Sequence, residues 1–101
     1  VCGKEASVNM LYPFMTLDDD TEIVHSEAYH ENGKEVVRVE IEKPVKGGFA
    51  SAIVYLPDYR WEDITGFSQT EIDYFTELIE SLAHVIIQLA REGGFEHASS
   101  F

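Results

Sequence analysis

Three textures of apolar and polar residues follow one another along the chain. From Thr21 to Glu42 the two kinds alternate about Asn32-Gly33. That dipeptide tolerates the positive φ angles of a two-residue type I′ turn, so the stretch predicts a β-hairpin. Counting outward from the turn, Val24 faces Ile41, Ser26 faces Val39 and Ala28 faces Val37 on an apolar side. Glu27 faces Arg38, His25 faces Glu40 and Tyr29 faces Val36 on a wetter side, where opposite charges suit one another. The next texture is the run Phe49 to Leu56, FASAIVYL, apolar at both parities, as expected of a strand covered on both faces. Ala50 and Ala52 make part of one face small enough for a helix to approach closely, and the sequence leaves open which face that is. Before the hairpin, Leu11 to Leu17 has strand character, but Pro13 lacks a ladder donor and confines it to a sheet edge or an irregular entry.

The third texture has a helical period. Ile72, Phe75, Ile79, Leu82, Ile86 and Leu89 recur at spacings of three and four, and Leu78, Val85, Ala83 and Ala90 widen the stripe. Ser68 and Glu71 form a capping box at its start, with Phe67 and Ile72 placed for a hydrophobic staple. Arg91 complements the dipole in the last turn, and Gly93-Gly94 supply the left-handed stop. With Tyr74 and Ile87 the apolar arc reaches about half the circumference at 100° per residue. Such a helix needs cover.

Strands followed by one long helix predict an α+β domain: an antiparallel meander of three to four strands with the C-terminal helix packed on one face. The domain spans residues 10–95, with a flexible segment at 1–9 and a flexible tail at 96–101. Met10 is a candidate natural start, a point the sequence leaves open.

Composition narrows the function classes. The 101 residues carry 19 acidic and 7 basic side chains, a net charge of −12, and no Lys/Arg cluster. Nucleic acid and anionic lipid are therefore unsuited partners. No apolar run is long enough to span a membrane, which predicts a cytoplasmic, soluble protein. The single cysteine, Cys2, excludes an internal disulfide and a Cys-rich metal site.

Few residues suggest chemistry. Asp18-Asp19-Asp20 lacks the glycine and distal glutamate of a calcium loop and reads as an acidic turn. Gly47-Gly48 reads as a reversal, since no helix start with Lys-Ser/Thr follows it. His25 and Glu40, opposed on the wetter hairpin face, form a candidate pH-sensitive pair. No catalytic residue, cofactor or metal site is nominated. The segments Met10 to Glu27, Tyr55 to Ser68 (YLPDYRWEDITGFS) and Ala83 to Phe95 (AHVIIQLAREGGF) resemble stretches of small single-domain bacterial proteins with no described activity. The resemblance carries no site residues with it.

More apolar surface is written into the helix and the Phe49 to Leu56 run than one helix on one sheet covers, and a surplus of that kind marks an interface. The expected function is a small acidic interaction or regulatory module that self-associates as a homodimer or binds a protein partner. Phe49, Ile53, Tyr55, Tyr59, Trp61, Tyr74 and Ile87 are the candidate interface or groove. The alternative is a small-molecule binder or enzyme with a pocket between the sheet and the Tyr55 to Trp61 segment.

Overall fold

The computed structural model describes residues 11–93. The readings on Cys2, Met10, Gly94 and the two terminal segments lie outside them. Among the described residues six strands precede one helix: β1 (Leu11–Thr16), β2 (Glu22–Ser26), β3 (Tyr29–Glu31), β4 (Lys34–Val45), β5 (Gly48–Leu56), β6 (Arg60–Thr65) and α1 (Gln69–Glu92). All pairings are antiparallel, in the order β1-β2-β4-β5-β6, with β3 continuing beside β4. The fold is α+β, but the sheet is wider than the three to four strands expected. The first arm of the hairpin is divided into β2 and β3. Residues 60–65, which show no period in the sequence, form β6.

The reason β6 hides is a register shift between Ser51 and Ile53, where Asp63 takes φ +55°. An extra residue there breaks the alternation that identifies a strand. Both rims of the sheet are irregular in this way. The β1 rim carries Pro13 and its own shift between Pro13 and Met15, and the β6 rim carries the left-handed Asp63.

The hairpin turn forms at Asn32-Gly33, with φ +56° and +79°, and Tyr29 opposes Val36 as the count from the turn predicts. Beyond Ala28 the count fails by one. Ile23 opposes Ile41, Val24 opposes Glu40 and His25 opposes Val39, so the expected pairs Val24–Ile41, Ser26–Val39 and His25–Glu40 are not made. The chain leaves the ladder at Glu27 and Ala28. Ala28 donates its amide instead to the Ala90 carbonyl near the C-terminus of α1, 3.1 Å away, satisfying a helix-end acceptor. Ser26 Oγ takes over ladder duty by accepting the Arg38 amide at 3.0 Å and donating to the Glu27 carbonyl. A local count cannot anticipate a break whose partner lies about sixty residues away.

β4 keeps its own alternation, and Val37, Val39 and Ile41 are buried. On β5 the helix-facing residues are Ala50, Ala52, Val54 and Leu56, which settles the parity the sequence leaves open. Val54 and Leu56 share one core cluster with Phe75, Ile79, Ile86 and Ala90 of α1. Each large side chain so buried contributes about 1.5–3 kcal/mol. Ser68 and Glu71 complete the capping box, and Gly93, at φ +86°, closes the helix with its amide directed at the Leu89 and Ala90 carbonyls. Phe67 sets its ring edge-on to Phe75, with centroids 5.2 Å apart. Where the chain leaves β6 for α1 it passes close over β5: a Cβ on Gly66 would stand 3.0 Å from Ala50 Cβ.

Candidate functional site: the open face of the sheet

With α1 on one side, the alternate positions of the strands face away from it. Register places Arg38 beside Tyr55, Glu40 beside Ile53, Glu42 beside Ser51 and Pro44 beside Phe49 across β4 and β5. β2 adds Val24 next to Glu40, and β6 adds Arg60 next to Tyr55 and Glu62 next to Ile53. Among the described residues no element packs over this face. Val24, Ile53 and Tyr55 are half-buried by their neighbours, and Phe49 is 64% exposed.

Two arginines organise the middle of the face. Arg38 Nε lies 2.7 Å from a Glu40 carboxylate oxygen, out of line for a hydrogen bond, so the contact is ionic. The Arg60 guanidinium stacks 4.4 Å over the Tyr55 ring, contacts Glu62, and lies 3.7 Å from Glu31. At the same end Tyr29 and Val36 are buried against each other. Burial, followed by the charge of Glu31, pushes the Tyr29 phenol above its ordinary value. The opposite end is acidic, with Glu22 and Glu42 opposed.

Elsewhere the charge is unbalanced. Lys34 pairs with Asp58, Lys43 with Asp19 and Glu71, and Arg91 with Glu35, so among the described basic side chains Lys46 alone has no ion pair. The remaining carboxylates, including Asp18, Asp20, Glu77 and Glu80, carry the net charge on the turns and the solvent side of α1.

The seven candidate interface residues divide between the two sides of the sheet. Phe49, Ile53 and Tyr55 share the open face. Trp61 lies opposite Val54 on the helix side, donating its indole N–H to Thr76 Oγ1 at 3.2 Å, and Tyr59 packs against the core with its phenol raised by burial. Tyr74 is 55% exposed on α1 and lines a hollow of about 460 Å³ with Thr16, Lys43 and Glu71. Ile87 packs on the core beside Pro57 and Arg91. These seven therefore form no single groove. The sequence reading missed Arg38, Arg60, Glu62 and Val24, which the cross-strand register supplies.

The pair His25–Glu40 is corrected outright, because the one-residue slip puts the two on opposite faces. His25 is fully buried on the helix side between the rings of Tyr12 and Phe14, with Nδ1 2.8 Å from the Ser26 carbonyl oxygen and Nε2 without a hydrogen-bond partner. Burial lowers its pKa.

A hollow of about 410 Å³ adjoins the open face, lined by Asn32, Lys34, Tyr55, Asp58 and Arg60 among others. Among the described residues no three His, Cys, Asp or Glu side chains gather where they could hold a metal ion, and no helix is long and apolar enough to cross a membrane. Fold and face together define a two-layer α+β domain with one bare sheet surface. Comparison of the chain with protein-family models, with curated proteins and with solved structures gives no match.

Proposed function

We propose that this protein is an interaction module whose working surface is the helix-free face of its sheet. The observation that carries the reading is the open face itself: Val24, Ile53 and Tyr55, half-buried by their neighbours, and the exposed Phe49 stand there with no other described element over them, among arginines already paired to carboxylates. Aromatic and arginine side chains on a rigid platform are the residue types that anchor protein interfaces, and a sheet holds them in place before any partner arrives. The free carboxylates around the platform steer association towards partner surfaces of opposite or low charge.

The test is affinity capture from cross-linked source cells with a tagged chain, run beside a Phe49→Asp, Ile53→Glu double variant. Protein held by the wild type and absent from the variant, whether another copy of the chain or something else, supports the reading. Equal recovery on both overturns it.

The hollow beside Tyr55, Asp58 and Arg60 favours a second reading, a small-molecule site, because it joins an aromatic wall to charged groups of both signs. Trp61 lies on the other side of the sheet, so its emission is a poor reporter of that hollow. A thermal-shift screen of metabolites is the direct check, and ligand binding there raises the melting temperature.

A further inference from the structure

We infer that the partner on the open face is a second copy of this chain, related by a two-fold axis that runs parallel to the strands between β4 and β5. The inference rests on the interaction reading above and adds to it the identity and the geometry of the partner.

Charge selects the face. Two copies at −12 repel wherever their unpaired carboxylates approach, over the acidic turns and along the solvent side of α1. The middle of the open face differs, because Arg38 offsets Glu40 there and Arg60 offsets Glu62. There a like-charged copy meets a locally balanced patch, with the half-buried Val24, Ile53 and Tyr55 and the exposed Phe49 around it.

Register then selects the axis. Closed pairing of two identical faces puts the two-fold in the plane between them. An axis running across the strands through the row of Ile53 would set each residue of that row on itself, Glu40 on Glu40 and Glu62 on Glu62, and like charges brought together in this way repel. An axis along the strands, midway between β4 and β5, sets every β4 residue over the partner's copy of its own β5 neighbour. Arg38 then meets a Tyr55 ring, Glu40 meets Ile53 and Glu42 meets the Ser51 hydroxyl, each twice. No residue of β4 or β5 is placed over a like-charged residue of the partner's β4 or β5; the one like-charged group nearby is the Arg60 stacked on the Tyr55 that Arg38 meets.

The size of the face agrees with a dimer in exchange with monomer. Phe49 to Tyr55 runs about 20 Å at ~3.4 Å per residue, and five strands span about 24 Å at ~4.8 Å each. Two such faces bury about 1,000 Å², the low end for a specific interface.

Sedimentation equilibrium in physiological salt, from about 1 to 200 µM chain, tests the inference. The wild type should move from 11.4 kDa towards twice that mass. Ile53→Glu, which brings two carboxylates against the partner's Glu40 groups, should hold the chain monomeric throughout. Ile53→Lys should keep the dimer, because the new ammonium meets Glu40. Far-UV circular dichroism checks that each variant is folded. Phe49→Asp, at a position already 64% exposed, gives a second route to weakened association should Ile53→Glu fail to fold.

A wild type that is monomeric over the whole range overturns the second copy. The capture experiment above still reads the face independently in that case. Dissociation by both Ile53 variants overturns this axis in favour of one that stacks Ile53 on itself. A wild-type dimer that neither Ile53 variant nor Phe49→Asp disturbs removes the inference and the open-face reading together.

Discussion

Replacing Gly66 with alanine separates two costs that a glycine usually conceals together. The first is conformational: Gly66 sits at φ +84°, and a residue with a Cβ in that left-handed region costs about 1–2 kcal/mol. The second is steric: the added methyl would lie 3.0 Å from Ala50 Cβ and 3.2 Å from Ala50 Cα, and overpacking of this kind adds about 1–3 kcal/mol. Gly33 supplies the internal standard. It has nearly the same backbone angle, φ +79°, but nothing stands within 4 Å of its built Cβ. Gly33→Ala should therefore lose only the first cost, and Gly66→Ala both, about 2–5 kcal/mol in all. In a domain of this size each kcal/mol lowers the melting temperature by about 4–8 °C. Urea unfolding of the two variants gives the comparison, and Ala50→Gly closes a double-mutant cycle. Removing the Ala50 methyl should make Gly66→Ala cheaper by about 1 kcal/mol or more, because only the crowding against the Ala50 main chain is then left. Equal losses at Gly33 and Gly66, or strict additivity with Ala50→Gly, would refute the close approach of the segment after β6 to β5 at this point.

Four further outcomes are expected. Because burial lowers the His25 pKa, the unfolded chain binds a proton there before the folded one does, so stability is full above about pH 6.5 and falls as the pH drops below it. Melting curves from pH 7.5 to 5 should show this slope, and His25→Phe should flatten it. A separate acid loss sets in as the pH falls through the ordinary carboxylate range, where the unfolded chain takes up protons before Asp19, Glu35 and Glu71, held low in the fold by Thr21, Arg91 and the Ser68 amide, and it continues until those groups protonate as well. Ser68→Ala removes one arm of the capping box and should cost about 1 kcal/mol by urea titration, whereas Ser68→Asp should restore most of it. Thr76→Val leaves the Trp61 indole N–H without its 3.2 Å acceptor and should destabilise by about 1 kcal/mol, with a change in Trp61 emission that Ser81→Ala, at an exposed position, does not produce.

The parts of this fold legible in the sequence are those fixed by neighbours in the chain. The limits of α1 follow from Ser68, Glu71 and Gly93, all acting within one turn of the helix ends. The Asn32-Gly33 reversal and the buried parity of Val37, Val39 and Ile41 are local in the same sense. What escapes is decided at a distance. The slip between β2 and β4 exists because Ala28 bonds the far end of α1, and it carries His25 from the wet face into the core. β6 escapes because Asp63 interrupts its alternation. The candidate surface shows both effects. Phe49, Ile53 and Tyr55 share a strand and a parity, so reading the run Phe49 to Leu56 finds them. Arg38 and Arg60 join them only through cross-strand register. Tyr59, Trp61, Tyr74 and Ile87 carry the same apolar signal but serve the helix layer.

The irregular rims bear on how copies of this chain can accumulate. A sheet grows laterally, towards fibres, when a rim offers an unbroken line of amides and carbonyls to an incoming strand. Here the first rim is missing a donor at Pro13, and the last is bent out of line at Asp63. Lateral addition of strands is therefore hindered at both rims, and the contact between copies proposed above uses the open face of the sheet instead of its edges.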